Sequence, residues 1–225
     1  MSYTFSFDFL GNYSGFFLSG IWMTLKLSIF SVLLGTFFGT LMGLMRVSTN
    51  KLLKGISAVY VEFVRGTPLL VQLYIFRYGL IMLFPVMRKW DVLIFCIVAM
   101  AFNSTGYVAE ILRAGISAVD VGQMEAGRSL GLTHAQTMRR IILPQAFKNI
   151  LPALGNEFVT IIKESSICSV VGVFELMYQA DLVRANTSRP FEPLLVAALL
   201  YLCMTFPLSK LMGLLEKRMK RGENA

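Results

Sequence analysis

Long apolar stretches of this chain, Leu27–Met45, Val92–Ala109 and Pro193–Ser209 among them, carry no charged side chain. Each is close to the roughly 20 apolar residues (range about 17–25) that a helix needs to cross a bilayer core. No other feature constrains the fold as tightly. In lipid every backbone N–H and C=O must be satisfied inside the segment or in a closed barrel. A core helix of a water-soluble protein would be shorter and apolar on one face only. Of 225 residues, 56% are hydrophobic and 15% charged, whereas soluble domains run at about 45–50% and about 25%. The chain is therefore read as an all-α, polytopic membrane protein.

Five transmembrane helices are predicted, at about 20–45, 56–84, 91–113, 149–172 and 193–213, ionisable residues interrupting the second and fourth. Loop charges set the expected orientation. With the N-terminus outside, Arg46, Lys51, Lys54, Arg113, Arg128, Arg139, Arg140, Lys148 and the tail Lys217–Arg221 are all cytoplasmic. Only Arg88, Lys89, Arg184 and Arg189 then face the other side, so the positive-inside bias favours N-out and C-in. The expected organisation is an extracytoplasmic segment 1–18, a membrane domain 19–213 with a cytoplasmic loop at about 120–146, and a cytoplasmic basic tail 214–225. The tail reads as a topology anchor near anionic lipid. The first residues, with Asp8 and no Lys or Arg, lack the basic start of a signal peptide.

Net charge is +8, from 21 Lys+Arg against 13 Asp+Glu. The basic residues gather in loops and at the tail, with no aromatic-interleaved basic stripe, so no nucleic-acid partner is expected. Cys96, Cys168 and Cys203 lie in apolar surroundings without C-x-x-C spacing and read as packing residues. His134 is the sole histidine. One imidazole builds neither a metal site nor a Ser-His-Asp triad, and no metal or catalytic constellation is expected. The sequence holds no G-x-x-x-x-G-K-[ST] phosphate loop, so no nucleotide site is expected in this chain. Gly35, Gly39 and Gly43 form a small-residue stripe on the first span, suited to close helix contact within the chain or between subunits.

Between the third and fourth spans lies a polar, basic segment, EAGRSLGLTHAQTMRRIILP, from Glu125 to Pro144. Gln123–Leu130 holds good helix formers, and Gly131 suits a left-handed helix end. Thr133 can cap a second helix that runs to Leu143 before Pro144 interrupts it. Met124, Leu130 and Leu132 offer apolar contacts, and Arg128, Arg139 and Arg140 can meet partner acids or lipid phosphates. Composition alone fits a docking element and an amphipathic connector on the membrane surface equally.

Its spacing resembles the "EAA" loop of ATP-binding cassette (ABC) importer permeases: Glu125 and Ala126, then Gly131, then Ile141, Leu143 and Pro144. Gly127 stands where that family usually has a second Ala; the departure loosens the helix by less than about 1 kcal/mol and removes no contact group. Glu62–Gln72, Tyr107–Arg113 and Lys163–Ser166 resemble the polar amino-acid uptake branch, so the likeness covers roughly residues 15 to 215. It implies a bacterial cell-membrane permease with the type I importer fold. Glu125, Ala126, Gly131, Ile141, Leu143 and Pro144 would couple it to a cytoplasmic ABC ATPase dimer that holds the ATP and Mg. It also implies an extracytoplasmic amino-acid-binding protein and an amino-acid substrate. One five-helix unit is too small to enclose a gated path, so a second permease copy or a related permease is expected across a two-fold interface. An ion-coupled secondary transporter or channel subunit is the alternative, although internal repeats are not evident.

Charges inside spans are costly, about 2.5–3.5 kcal/mol each at mid-bilayer on insertion scales. Glu62 and Arg65 are spaced i, i+3, as are Glu110 and Arg113, so each pair shares a helix face. The two pairs are expected to join in one network, either a clamp or a gate that rearranges with ATP. On the fourth span Asn156, Thr160 and Lys163 recur at i, i+4, i+7, with Glu157 and Glu164 on a neighbouring stripe. A polar stripe on a membrane helix faces protein or a watery cavity. Glu157 can meet a substrate ammonium, and Lys163 or Asn156 its carboxylate; the alternative leaves Lys163 and Glu164 hydrated at the outer interface. Pro152 and Gly155 can bend that helix.

Overall fold

A computed structural model describes residues 5–221. Residues 1–4 of the N-terminal segment, 222–225 of the basic tail, and the side chains of Lys220 and Arg221 lie outside the described residues. Every regular element among the described residues is helical. The helices are α1 (Leu10–Arg46), α2 (Lys51–Gly66), α3 (Leu69–Leu83), α4 (Val92–Ser117), α5 (Val121–Ser129), α6 (His134–Thr137), α7 (Leu143–Glu164), α8 (Leu176–Thr187) and α9 (Glu192–Arg221).

Three helices are long and apolar enough to cross a bilayer, namely Leu10–Arg46, Val92–Ser117 and Glu192–Met219. The pair α2 and α3 also passes, bent by 105°. The second span, expected as one helix over 56–84, is thus broken. The cause is Pro68, whose ring drives the preceding residue out of the helical region; Thr67 is extended, at φ −121° and ψ 142°. Five membrane-length helices were expected, and three or four are found by length and composition. The missing one is α7, whose polar residues interrupt its apolar face, although it runs without a break from Leu143 to Glu164 and continues as a 3-10 turn to Val171.

Helix starts follow local capping chemistry. Asn50 Oδ1 accepts the N–H groups of Leu52 (2.9 Å) and Leu53 (3.4 Å) at the start of α2. Glu175 caps α8, accepting the Tyr178 N–H at 2.8 Å. The helix α8 was not expected. Asp181 and Arg184 break its apolar pattern, so residues between the last two spans read as a loop.

The chain forms two compact units. The first holds residues up to Leu33, Pro68–Ala101 and Phe158–Pro207; the second holds Leu34–Thr67, Phe102–Glu157 and residues from Leu208 onward. In the first, Leu27, Leu73, Cys96, Met100, Ile161 and Cys168 form one buried cluster, and Phe9, Phe17, Leu176, Val183 and Ala197 another. Glu175, fully buried, there accepts the Tyr201 hydroxyl at 2.6 Å. Cys203, unlike the other two cysteines, is exposed.

In the second unit α1 lies hard against α4. A Cβ on Gly39 would fall 2.5 Å from Val108 Cβ, and one on Gly43 2.9 Å from Leu112 Cβ. Those two glycines of the small-residue stripe therefore serve contact within the chain, backbone against side chain. The helix α2 is tied in by two hydroxyls, Ser57 donating to the Met42 carbonyl and Tyr60 to the Phe102 carbonyl, each at 2.7 Å. Gly155 does not act as a bend. It lets α7 approach Met212 of α9 directly, and Pro152 sits inside an unbroken helix.

Candidate functional site

The polar segment after α4 folds from its own local signals, all within the second unit. Asp120 caps α5, its Oδ1 accepting the Gly122 N–H at 2.6 Å. The helix ends at Leu130 because Gly131 takes the left-handed conformation, φ +84°. Two bonds close that end: Leu132 N–H to the Gly127 carbonyl and Gly131 N–H to the Arg128 carbonyl, both 3.1 Å. These are the two hydrogen bonds of a Schellman cap. Thr133 and Gln136 then exchange a capping box, at 3.2 and 2.8 Å, to start α6.

The expected break at Pro144 does not occur. The helix widens instead into a π-helical turn over Met138–Ile142, with Leu143 N–H bonding the Met138 carbonyl, and runs on into α7. A proline lacks the N–H for the usual carbonyl and its ring crowds that carbonyl, so a wider turn upstream lets the helix pass through it. Two helices joined by a glycine turn thus lead directly into a long helix.

The outer face of this element is open. Val121 is 72% and Leu130 81% exposed. Glu125, Ala126, Leu143 and Pro144 are exposed, Ile141 is half-buried, and Glu125 makes no side-chain hydrogen bond or ion pair among the described residues. His134 is likewise exposed on α6. Ile116, Val119, Met124, Met138 and Ile142 line a groove of about 270 Å³ at the base of the element. Gly127 is buried against Thr137, where a Cβ would lie 2.5 Å from Thr137 Cγ2. By spacing alone Gly127 is a harmless departure; in the structure it is the contact point between the two short helices.

The charge network is centred on Glu110. Arg113 grips it with two of its three guanidinium nitrogens, Nε at 2.9 Å and Nη2 at 2.6 Å. Arg65 and Arg46 each approach to 3.8 Å. Arg65 therefore pairs across to α4 and not with Glu62, which is exposed and unpaired among the described residues. The expected Glu62–Arg65 pair is absent because Arg65 turns toward the carboxylate shared by the other guanidiniums. Arg46 was missed as a member. It ends α1, remote in sequence, and no spacing rule links it to Glu110.

Along α7 the predicted polar residues divide. Asn156 is exposed and, with Lys148, Asn149, Pro152, Ala153 and Glu216, lines an open cavity of about 260 Å³. Glu157 is only 8% exposed and accepts the Ser104 hydroxyl at 3.0 Å, so it does not share that cavity's wall. Both belong to the second unit. Thr160, half-buried, and Lys163, exposed, belong to the first. Ser104 gave no sequence signal, being one small hydroxyl in an apolar run.

The family profile described as binding-protein-dependent transport system inner membrane component matches residues 35–221. The arginine transport system permease protein ArtQ of Bacillus subtilis is 38% identical over 210 residues, spanning 92% of this chain and 94% of its own. The probable glutamine ABC transporter permease protein GlnM of the same organism is 40% identical over 207 residues, with 92% and 94% covered. Among solved structures, the crystal structure of an amino acid ABC transporter with histidines matches at TM-score 0.88 and 49% identity, over 95% of this chain and 100% of that one. An inward-facing form of the MetNI methionine ABC transporter matches at TM-score 0.76 and 19% identity, over 96% and 99%, which shows the fold alone.

Proposed function

The chain belongs to the family of binding-protein-dependent transport system inner membrane components, and we propose from that premise how it works. It is the membrane-spanning permease subunit of an ABC importer for amino acids in the bacterial inner membrane. An ATPase partner comes with that family; the chain itself is a transport subunit. Five spans cross the membrane, α2 with α3 counting as one bent span and α7 as the fourth, with the N-terminus outside and the C-terminus in the cytoplasm. That orientation puts the α5–α6 element on the inner side.

There Glu125, Ala126, Gly131, Ile141, Leu143 and Pro144 couple transport to a cytoplasmic ATPase dimer, which alone holds ATP and Mg. Exposed Val121 and Leu130 enter the partner's groove. The α5–α6 element is continuous with α7 through the π-helical turn, so a push on it is transmitted along a helix without a flexible joint. A second permease, identical or related, completes the path, and an extracytoplasmic binding protein delivers the amino acid. Asn156, Glu157, Thr160 and Lys163 mark the substrate's route along α7. One observation carries this reading: the Glu125–Pro144 pattern falls on two capped helices joined by a glycine turn, with Glu125 exposed and making no side-chain hydrogen bond or ion pair among the described residues.

The test is uptake into vesicles containing the permease and its ATPase. Transport stops when ATP is removed with ion gradients clamped, and the purified permease alone hydrolyses no ATP. Uptake that persists without ATP, or turnover by the chain alone, overturns the proposal.

A further inference from the structure

Glu110 is outnumbered. Three guanidiniums from three helices converge on its one carboxylate, leaving two positive charges without a counter-charge. Arg113 occupies both oxygens with its fork, and Arg46 and Arg65 remain at 3.8 Å, beyond hydrogen-bond reach. Arg46 Nε is buried and has no hydrogen-bond partner. Buried donors left unpaired are rare in folded proteins, so each calls for an explanation. The Arg65 and Arg113 side chains are 44% and 38% exposed, so the surplus charge is reachable from outside.

Position in the fold selects the anion. Arg46 is the last residue of α1, and Arg113 stands about one turn before the end of α4. The uncharged membrane-length runs Leu27–Met45 and Val92–Ala109 end immediately before Arg46 and Glu110, so the cluster lies at the depth of lipid headgroups and not of acyl chains. Guanidinium forks match the oxygens of a phosphate. Basic pockets between helix ends on the inner side hold anionic headgroups. The geometry points to a site in which Arg46, Arg65 and Arg113 bind the phosphate of an anionic phospholipid headgroup, with Glu110 holding the guanidiniums apart from one another. The site rests on the proposed function only for the chain's place in the membrane.

The test uses the assembled complex, stripped of lipid and titrated with short-chain phosphatidylglycerol or with inorganic phosphate, read by thermal shift and by native mass spectrometry of retained lipid. Phosphatidylglycerol binds and stabilises the wild type, and inorganic phosphate at matched concentration does not. Arg46→Gln weakens lipid binding about fivefold and Arg46→Gln with Arg65→Gln about 25-fold. A variant remote from the cluster, Arg88→Gln with Lys89→Gln, leaves it unchanged. Equal binding by wild type and the double variant overturns the site, as does a wild type that binds no phosphatidylglycerol. Equal stabilisation by inorganic phosphate overturns the lipid assignment. The wild-type ligand comparison does not depend on how well the variants fold. ATP-driven uptake by the same wild-type complex reports on the transport role independently, so loss of one reading leaves the other standing.

Discussion

Gly127 and Thr137 meet across the glycine turn so closely that a Cβ on Gly127 would lie 2.5 Å from the Thr137 methyl and 2.8 Å from its hydroxyl. Thr137 cannot simply rotate away, because its hydroxyl donates to the Thr133 carbonyl at 3.1 Å within α6. Overpacking of this kind costs about 1–3 kcal/mol, against at most about 1 kcal/mol gained in helix propensity from Gly to Ala. Gly127→Ala is therefore expected to loosen the α5–α6 pairing by up to about 2 kcal/mol net and to lower transport-coupled ATPase activity. Thr137→Ala in the same chain removes the obstructing atoms and restores both. Hydrogen exchange across residues 121–142 and ATPase assays of the complex read the cycle; independent, additive effects of the two substitutions would refute the contact.

Gly131→Ala acts on the same element by a different route. The position is open, with nothing within 4 Å of where a Cβ would sit, yet its φ of +84° disfavours every L side chain. The left-handed region costs a non-glycine residue roughly 1–2 kcal/mol, while Asn tolerates it better. Faster amide exchange at Leu132 and weaker ATPase coupling are expected for Gly131→Ala, and a milder change for Gly131→Asn. Equal behaviour of the two variants would mean that the turn is not held in that conformation.

What was legible in the sequence was local. Gly131 and Thr133 each act on hydrogen bonds within a few residues of themselves, so the turn and the start of the second short helix could be placed from spacing alone, whereas the Asp120 cap of the first emerges only in the structure. The apolar runs of α1, α4 and α9 were legible for the same reason. Pro68 was visible too, but an apolar run on both sides of it outweighed the breaker and fused α2 with α3 into one expected span. Pro144 misled in the opposite sense, since a π-helical turn five residues long absorbs it. The Arg46–Glu110 approach and the Ser104–Glu157 bond join residues far apart in the chain, and no periodicity encodes such pairs.

Removing the Glu110 charge tests the cluster it centres. Glu110→Gln keeps the side-chain shape but leaves three guanidiniums facing one another. Breaking a buried pair this way costs about 3–5 kcal/mol, and the partial exposure here lowers that to roughly 1–3 kcal/mol. Melting of the complex is expected several degrees lower, with part of the loss recovered as salt screens the repulsion. Glu110→Lys, which adds a fourth cation, is expected to abolish assembly or uptake. Normal uptake by the Lys variant would make the carboxylate dispensable.

Glu157 offers the sharpest test of the substrate route, because one substitution separates its charge from its packing. The side chain is 8% exposed and takes a hydrogen bond from Ser104 at 3.0 Å. Glu157→Gln preserves its volume and an acceptor oxygen for Ser104, so the fold is expected to hold within about 1 kcal/mol. If the carboxylate meets the ammonium of a passing amino acid, losing its charge removes a charge-assisted contact that survives no neutral replacement. A hydrogen bond to a charged group contributes about 1.5–3 kcal/mol, so uptake is expected to fall about tenfold or more at limiting substrate. Ser104→Ala removes only a neutral donor and should change uptake far less. Uptake measured for both variants alongside the melting temperature of each complex decides the matter: Gln at full activity with unchanged melting would leave Glu157 a packing residue and move the route elsewhere on α7.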